Sequence, residues 1–333
     1  MTDTEHPRVV VVGAGRMGQG IALAFLAAGR DVTLADVKET DGDRAPYRKA
    51  AEQQVLERLG ARPAHGPGRA PRLTVCDRAA AAAPLAAADV VFEAVPEVLE
   101  VKRSVLSWVD ATAAGTAVIA STTSTFLVTD LAALVRDGSR VVNAHWLNPA
   151  DLMPLVEVSR SEDTDPDRVA RLTALLRDIG KVPVVCGPTA GYIVPRLQAL
   201  LMNEAARMVE EGVASAADID QAVRAGLGPR FCVLGPLEFI DWGGGDILYY
   251  ASRYLAAELG DRFRAPAVVE ENMTARRRGL QDGTGFYHYA PEDVPAYRAG
   301  RVREFEELLR LRAAGLRADA AFPTRPVAPP EPE

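Results

Sequence analysis

Residues 8–18 read RVVVVGAGRMG, and this stretch decides the fold. A run of four valines is typical of a parallel strand that is buried on both faces of a sheet. The glycines that follow have the spacing G-x-G-x-x-G, and a helical pattern rich in alanine and leucine runs from Gly15 until Gly29 stops it. Strand, glycine loop and helix in this order predict a unit that binds a dinucleotide at the helix N-terminus.

The three glycines of the loop have separate expected tasks. Gly13 permits the tight turn after the strand, Gly15 lets the backbone approach a pyrophosphate, and Gly18 lets the helix pack closely on the strand. Arg16 and Met17 lie between them, and we expect both to line the same cofactor site. The alternative is a glycine turn in an α/β protein of another kind.

Asp36 ends the second predicted strand, residues 31–35, about 20 residues beyond the glycine loop. A carboxylate there accepts hydrogen bonds from ribose hydroxyls and repels a 2′-phosphate, so it predicts NAD over NADP as the cofactor. Lys38, two residues later, leaves a small opening for NADP. The alternative is that Asp36 merely caps the end of a strand.

Strand and helix patterns alternate as far as Gly187, which is typical of a doubly wound sheet. The further strand candidates are residues 73–76, 89–94, 116–120, 140–145, 155–158 and 182–186. We therefore predict an α/β chain with a Rossmann-type domain over residues 1–188. Long helical patterns follow, and they predict an all-helical domain over residues 189–321, with a proline-rich disordered tail at 322–333.

Composition narrows the class of protein. The formal net charge of -7 argues against nucleic acid or an anionic membrane as a partner. Three widely spaced cysteines predict a reducing compartment, with neither a zinc site nor a disulfide framework. The polar N-terminus and the lack of any apolar run of about 18 residues predict a cytoplasmic protein outside the membrane.

A second pattern concerns proton transfer. His145 ends the predicted strand at 140–145, and Glu157 lies inside the next one. An imidazole held by a carboxylate can act as a general base at neutral pH. The alternative is a histidine that is only hydrogen-bonded at the end of a strand.

Four motifs in a fixed order carry a family resemblance. They are HWLNP at 145–149 continued by MPLVE at 153–157, STTS at 121–124, the pair Glu97 and Lys102, and GYIVPR at 191–196. Together with the loop at Gly13 they resemble the 3-hydroxyacyl-CoA dehydrogenase family, including its lambda-crystallin, gulonate and carnitine dehydrogenase branch. The likeness runs to residue 287, nearly the full chain.

The resemblance implies the reaction and its central residues. His145 takes the proton of a secondary alcohol while a hydride passes to NAD, Glu157 orients the imidazole, and Ser124 hydrogen-bonds the substrate oxygen. An ordinary N-cap of a helix that starts near Leu127 is the alternative role for Ser124.

The resemblance also places Asn148, Glu97 and Lys102 near the nicotinamide ribose. For Glu97 and Lys102 the alternative is a solvated helical face. At residue 195 the chain departs from the family, because Pro195 replaces an asparagine that donates to the substrate carbonyl.

The segment between Gly228 and Gly235 bears on the substrate. It is longer than in the acyl-CoA members and resembles the branch that acts on free hydroxy acids, in which an arginine often stands at the position of Arg230. A guanidinium suits a carboxylate, although Arg230 could also be a surface arginine on a loop. We therefore expect a compact 3-hydroxy acid. A short-chain 3-hydroxyacyl-CoA and a non-catalytic, crystallin-like NAD-binding protein stay as alternatives.

Two further expectations follow. No lysine occurs after Lys181, which excludes the β-hydroxyacid dehydrogenases that use a lysine on the first helix of their second domain.

Helical patterns such as residues 192–211 have apolar faces too wide for one small domain to bury, and they predict a homodimer through the helical domains.

Overall fold

The structure, a computed structural model, describes residues 7–61 and 70–316. The predicted tail at 322–333 lies outside the described residues. Eight strands form one sheet, and each corresponds to a predicted strand. They are β1 (Val9–Val12), β2 (Val32–Asp36), β3 (Leu73–Asp77), β4 (Val90–Glu93), β5 (Val118–Ser121), β6 (Val141–Trp146), β7 (Leu155–Ser159) and β8 (Val182–Cys186).

The helices alternate with the strands as far as β8 and then follow one another. Those of the first part are α1 (Arg16–Ala27), α2 (Ala45–Gly60), α3 (Ala82–Ala86), α4 (Leu99–Thr112), α5 (Val128–Ala132) and α6 (Pro166–Asp178). After β8 come α7 (Val194–Glu210), α8 (Ala216–Ala222), α9 (Gly228–Val233), α10 (Pro236–Gly243), α11 (Gly245–Leu259), α12 (Ala267–Thr274) and α13 (Val294–Leu316). The predicted fold class, a Rossmann-type sheet followed by a helical region, is confirmed.

The strand order across the sheet is β3-β2-β1-β4-β5-β6-β7-β8. Neighbouring strands are parallel except β6 and β7, which are antiparallel. The chain winds outward from β1 in one direction and from β4 in the other, so a crevice opens beyond the carboxyl ends of these two strands. The antiparallel pair also places residue 145 directly opposite residue 157 in the register.

The sheet is covered on both faces at β1, because successive valine side chains point to opposite faces. In β1, Val9 and Val11 belong to one apolar core, and Val10 and Val12 belong to the other. Phe25 of α1 lies in the first core, fully buried, with its ring centroid 5.5 Å from that of Phe92. The continuous valine run is therefore the signature of a strand buried between two helix layers.

The chain divides into two compact units, residues 1–201 and 202–333. The division falls within α7, somewhat after the boundary near residue 188 that the sequence predicts. Among the described residues of the second unit, the regular secondary structure is helical apart from isolated bridges at 279–288. In the described part of the chain, no helix is both long and apolar enough to cross a membrane.

One buried carboxylate organises the end of the second unit. Asp241, only 2% exposed, accepts hydrogen bonds from the backbone N–H groups of Phe286 at 3.0 Å and Tyr287 at 2.9 Å. A Cβ at Gly285 would lie 2.1 Å from Asp241 Oδ1, which explains why glycine precedes these aromatic residues. Residues 285–287 are thus a packing element of this unit.

Truncation of Phe25 tests the first core. Phe25→Ala should lower the free energy of unfolding by about 3–5 kcal/mol, because a fully buried ring leaves a cavity between α1 and the sheet. Leu56→Ala on α2, where the side chain is 43% exposed, is the matched control and should change it by about 0.5 kcal/mol or less. Urea unfolding measures both, and equal losses would contradict this account of the core.

Candidate active site

A cavity of about 970 Å³ lies beyond the carboxyl ends of β1 and β4. Its walls come from the glycine loop, the end of β2, the start of α2, the loop after β4 and the turn after β5. The lining residues that bear on function are Gly13, Gly15, Arg16, Met17, Asp36, Lys38, Arg44, Tyr47, Arg78, Glu97 and Ser124. The first unit therefore holds a crevice where doubly wound sheets bind nucleotides.

The glycines of the loop differ in what surrounds them. A Cβ at Gly13, where φ is +113°, would lie 2.5 Å from the carbonyl oxygen of Ala94, and one at Gly18 would lie 1.8 Å from that of Gly13. Close packing of the chain therefore requires these two glycines. A Cβ at Gly15 would meet no atom within 4 Å, so there the backbone is open to a ligand.

The N-terminus of α1 adds an electrostatic match for a pyrophosphate. Gly15 is the N-cap and has no side chain to satisfy the first N–H groups, and no acidic residue lies in the first turn. Free N–H groups and the helix dipole attract a phosphate, while Arg16 supplies a positive charge. The residues present thus fit a dinucleotide.

Asp36 lies where the sequence predicts, but an arginine already holds it. The carboxylate is 5% exposed and accepts two hydrogen bonds from Arg44, at 2.7 Å from Nε and 2.8 Å from Nη2. These bonds raise the pKa of Arg44. A carboxylate has about four acceptor positions, so Asp36 can still bind ribose hydroxyls beside the guanidinium.

Arg44 and Tyr47 complete this end of the cavity, and the sequence motifs miss both. The Arg44 guanidinium lies 4.2 Å from the centroid of the Tyr47 ring, and the Tyr47 hydroxyl donates to the carbonyl oxygen of Ala14 at 2.9 Å. Arg44 immediately precedes α2 and Tyr47 lies in its first turn, so only the packing of α2 against the glycine loop brings them here. No sequence signal beyond their proximity to Asp36 indicates this role.

Glu97 holds the turn that carries Ser124. Its Oε1 accepts hydrogen bonds from the backbone N–H groups of Ser124 at 3.0 Å and Thr125 at 2.9 Å, and also from the Thr123 hydroxyl. Burial alone would raise the pKa of Glu97, but the Thr123 hydrogen bond and the charge of Lys102 together lower it. Glu97 also lines the cavity, and its place near the nicotinamide ribose stays a prediction.

Lys102 requires a correction. Its side chain is fully buried, with Nζ 3.0 Å from Glu93 Oε1 and 3.3 Å from Glu97 Oε2, and it does not line the cavity. The alternative of a solvated helical face is therefore wrong for this side chain, while its predicted place near the cofactor stays a prediction. The carboxylates of Glu93 and Glu97 compensate its buried charge, and Glu97 is the one of the two that lines the cavity.

His145 and Glu157 meet across the antiparallel pair. His145 Nδ1 is 2.8 Å from Glu157 Oε2, and the carboxylate is fully buried. The other oxygen, Oε1, accepts hydrogen bonds from the N–H groups of Ile193 and Val194, both at 2.8 Å, where α7 begins. With Nδ1 donating to Glu157, the Nε2 lone pair is left to accept a proton.

Tyr192 belongs to the GYIVPR motif at 191–196, but the motif by itself gives no role to its side chain. Its ring stacks on the His145 imidazole with 4.9 Å between centroids and 7° between planes. Its hydroxyl donates to the carbonyl oxygen of Thr123 at 2.8 Å. Thr123 directly precedes Ser124, so a short chain of contacts joins the imidazole to the turn that lines the cavity.

The remaining predicted site residues of the first unit lie in different settings. Ser124 is exposed at the cavity, and the N-cap of α5 is Leu127, so the predicted alternative role of Ser124 as that cap is wrong. Asn148 is exposed in the turn between β6 and β7 and does not line the cavity. Pro195 stands in the first turn of α7, where a missing N–H costs little.

Arg230 belongs to the second unit. It is exposed on α9, with its guanidinium 5.4 Å from the centroid of the Phe239 ring. The segment between Gly228 and Gly235 that the sequence predicts as a loop is therefore mostly helical. Proline at the second position of α9 favours this helix start.

Known proteins match the chain over almost all of its length. Residues 8–189 match the family described as 3-hydroxyacyl-CoA dehydrogenase, NAD binding domain, and residues 191–289 match the C-terminal domain of the same family. The first match confirms NAD as the predicted cofactor. Over 305 residues the chain is 33% identical to 5-formyl-3-hydroxy-2-methylpyridine 4-carboxylate 5-dehydrogenase of Mesorhizobium japonicum, covering 91% of this chain and 97% of the relative.

Solved structures agree with these matches. The crystal structure of the 3-hydroxyacyl-CoA dehydrogenase from Archaeoglobus fulgidus superposes with a TM-score of 0.75 at 35% identity, covering 92% of this chain and 99% of that one. A 5-formyl-3-hydroxy-2-methylpyridine 4-carboxylic acid 5-dehydrogenase, described as an NAD⁺-dependent dismutase, superposes with a TM-score of 0.68 at 30% identity, covering 92% and 98%. The chain belongs to the 3-hydroxyacyl-CoA dehydrogenase family, a family of NAD-dependent oxidoreductases that act on CH–OH groups.

Proposed function

We propose that this chain oxidises the 3-hydroxyl of a 3-hydroxy acid or acyl substrate to the 3-keto form, or catalyses the reverse reaction, with His145 as the general acid and base. One observation carries the proposal. Glu157 binds the imidazole with one oxygen and the start of α7 with the other, so the base has a fixed orientation. Tyr192, which stacks on His145, also donates a hydrogen bond to the carbonyl oxygen of Thr123, the residue before Ser124. Ser124 lines the nucleotide cavity.

The glycine loop and Asp36 would hold NAD, which would supply the acceptor for a hydride from the carbinol carbon. His145 removes the hydroxyl proton at Nε2, and Glu157 stabilises the resulting imidazolium through Nδ1–H. Ser124 donates a hydrogen bond to the substrate oxygen. In the reverse direction the same imidazolium returns its proton to that oxygen.

Removal of the imidazole tests the base. His145→Ala should lower kcat by about 10²-fold or more and leave NAD affinity nearly unchanged, because His145 does not line the nucleotide cavity. His288→Ala in the second unit, an exposed histidine, is the matched control and should turn over normally. Steady-state kinetics and NAD titration measure both variants. Near-normal turnover by His145→Ala would overturn the assignment.

The preference for NAD over NADP is assigned to Asp36. Lys38, Arg44 and Arg78 line the same cavity, and Glu39, which lines it as well, is paired with Arg78. Asp36 is therefore assigned as the carboxylate that keeps a 2′-phosphate away from these cations. Asp36→Asn should raise the ratio of kcat/KM for NADP to that for NAD by about tenfold or more.

Asp77→Asn is the matched control for this exchange. Asp77 pairs with Asp36 in the register of β2 and β3 but does not line the cavity, so its exchange should leave the ratio unchanged. Equal ratios in the two variants would show that another group selects the cofactor.

The substrate that we prefer is a compact free hydroxy acid, with Arg230 binding its carboxylate. The relative from Mesorhizobium is named for a pyridine carboxylate substrate, and Arg230 is an exposed guanidinium of this chain. The Archaeoglobus relative is named for an acyl-CoA substrate, so 3-hydroxybutyryl-CoA is the second candidate.

Competition between the two substrate classes decides this point. Arg230→Met should raise KM for a free 3-hydroxy acid by about tenfold or more and change KM for the thioester little. Arg224→Met, on the segment before α9, is the control. A strong wild-type preference for the thioester would contradict the role of Arg230. NAD binding without turnover of any hydroxy acid or thioester would favour the crystallin-like alternative.

A homodimer is the assembly that we propose. The side chains of α7 are not buried, and Leu200 and Met202 are 68% and 66% exposed. Such an apolar helix face is stabilised when a second copy covers it. A monomer in sedimentation at micromolar concentration would contradict this.

A cytoplasmic location completes the proposal. Cys76, Cys186 and Cys232 carry free thiols. A reducing compartment preserves such thiols. Fractionation of the source cells with an antibody against the chain would test the location.

A further inference from the structure

We propose that Tyr192 is a positioning residue that fixes the plane of the His145 imidazole and ties it to the turn bearing Ser124. The inference rests on the proposed role of His145 as the base. Tyr192 does not line the nucleotide cavity, and its hydroxyl proton is used in the hydrogen bond to the Thr123 carbonyl. Its effect on catalysis therefore passes through His145 and Thr123.

Stacking restrains the imidazole in a way that Glu157 cannot. The carboxylate holds one ring atom, Nδ1, and by itself permits the ring plane to tilt about that hydrogen bond. The Tyr192 ring covers one face of the imidazole, nearly parallel to it, and is only 5% exposed. Edge and face contacts together determine where Nε2 points.

The backbone at Tyr192 indicates that its side chain is needed there. Gly191 has a φ of +78° and Tyr192 a φ of +46°, so two consecutive residues are left-handed. A bulky residue in this region is strained and persists only where the surroundings hold it. The same turn presents the N–H groups of Ile193 and Val194 to Glu157, so it positions both supports of the imidazole.

The Tyr192 hydroxyl links the imidazole to the turn that carries Ser124. It donates to the Thr123 carbonyl, and the neighbouring hydroxyl of Thr123 and N–H of Ser124 are held by Glu97. Burial raises the pKa of Tyr192, so the hydroxyl stays protonated as a donor. Proton acceptor and oxygen-binding turn are thereby fixed relative to one another.

Two variants separate the ring from the hydroxyl. Tyr192→Phe keeps the stacking and should lower kcat about fivefold, the effect of one neutral hydrogen bond. Tyr192→Leu loses both contacts and should lower kcat about 10²-fold, as a displaced catalytic group does. NAD affinity should change less than about twofold in both. Wild-type kcat in Tyr192→Phe would overturn the link through Thr123.

A readout without turnover distinguishes positioning from general damage. The chain has four histidines, so the Nδ1–H of His145 can be followed by ¹⁵N NMR of the histidine-labelled protein. Wild type and Tyr192→Phe should show this proton protected from exchange, and Tyr192→Leu should lose the signal. Should Tyr192→Leu fail to fold, Tyr192→Trp replaces it and should keep the protection but lower kcat.

The outcomes separate this inference from the proposed function. A protected signal together with wild-type kcat in Tyr192→Leu would overturn the role of Tyr192. If His145→Ala is inactive at the same time, the base assignment stands and only the positioning role fails. If His145→Ala turns over normally, the proposed function fails first.

Discussion

The site depends on Glu157, a buried carboxylate whose two oxygens both accept hydrogen bonds. A charge without solvent is stable only when its acceptor positions are filled, and here the imidazole fills one side and two backbone N–H groups fill the other. This requirement explains the antiparallel β7, which turns Glu157 toward His145, and the left-handed turn at Gly191 and Tyr192, which aims the start of α7 at the carboxylate.

A second buried charge, that of Lys102, also has all of its requirement for partners met within the protein. Lys102 has no solvent contact and lies between the carboxylates of Glu93 and Glu97. Glu93 also accepts a hydrogen bond from the Ser121 hydroxyl, so the network joins β4, β5 and α4. The lysine of this family motif thus lies against Glu93 and Glu97, because burial of an ammonium demands paired carboxylates.

These two networks keep the site rigid where the chain is otherwise a loop. Thr123 belongs to both, since its hydroxyl binds Glu97 and its carbonyl accepts from Tyr192. Buried polar groups that are fully paired specify one arrangement, while a partly paired group would favour alternatives. The geometry expected of base and oxygen-binding turn therefore follows from charge burial and from the packing of one aromatic ring.

The family motif named His145 and Glu157 together, but only the antiparallel pairing of β6 and β7 sets them opposite each other. The sequence by itself determined the strands, the glycine loop and Asp36. Each of these depends on local periodicity or on short spacing, which a strand or a helix turn converts directly into position. Only the tertiary structure decided that Lys102 is buried, that Arg44 holds Asp36, and that Tyr192 stacks on His145. Those contacts join residues from separate elements. They form because the packing brings buried charges and ring faces together, and each buried charge then needs a partner.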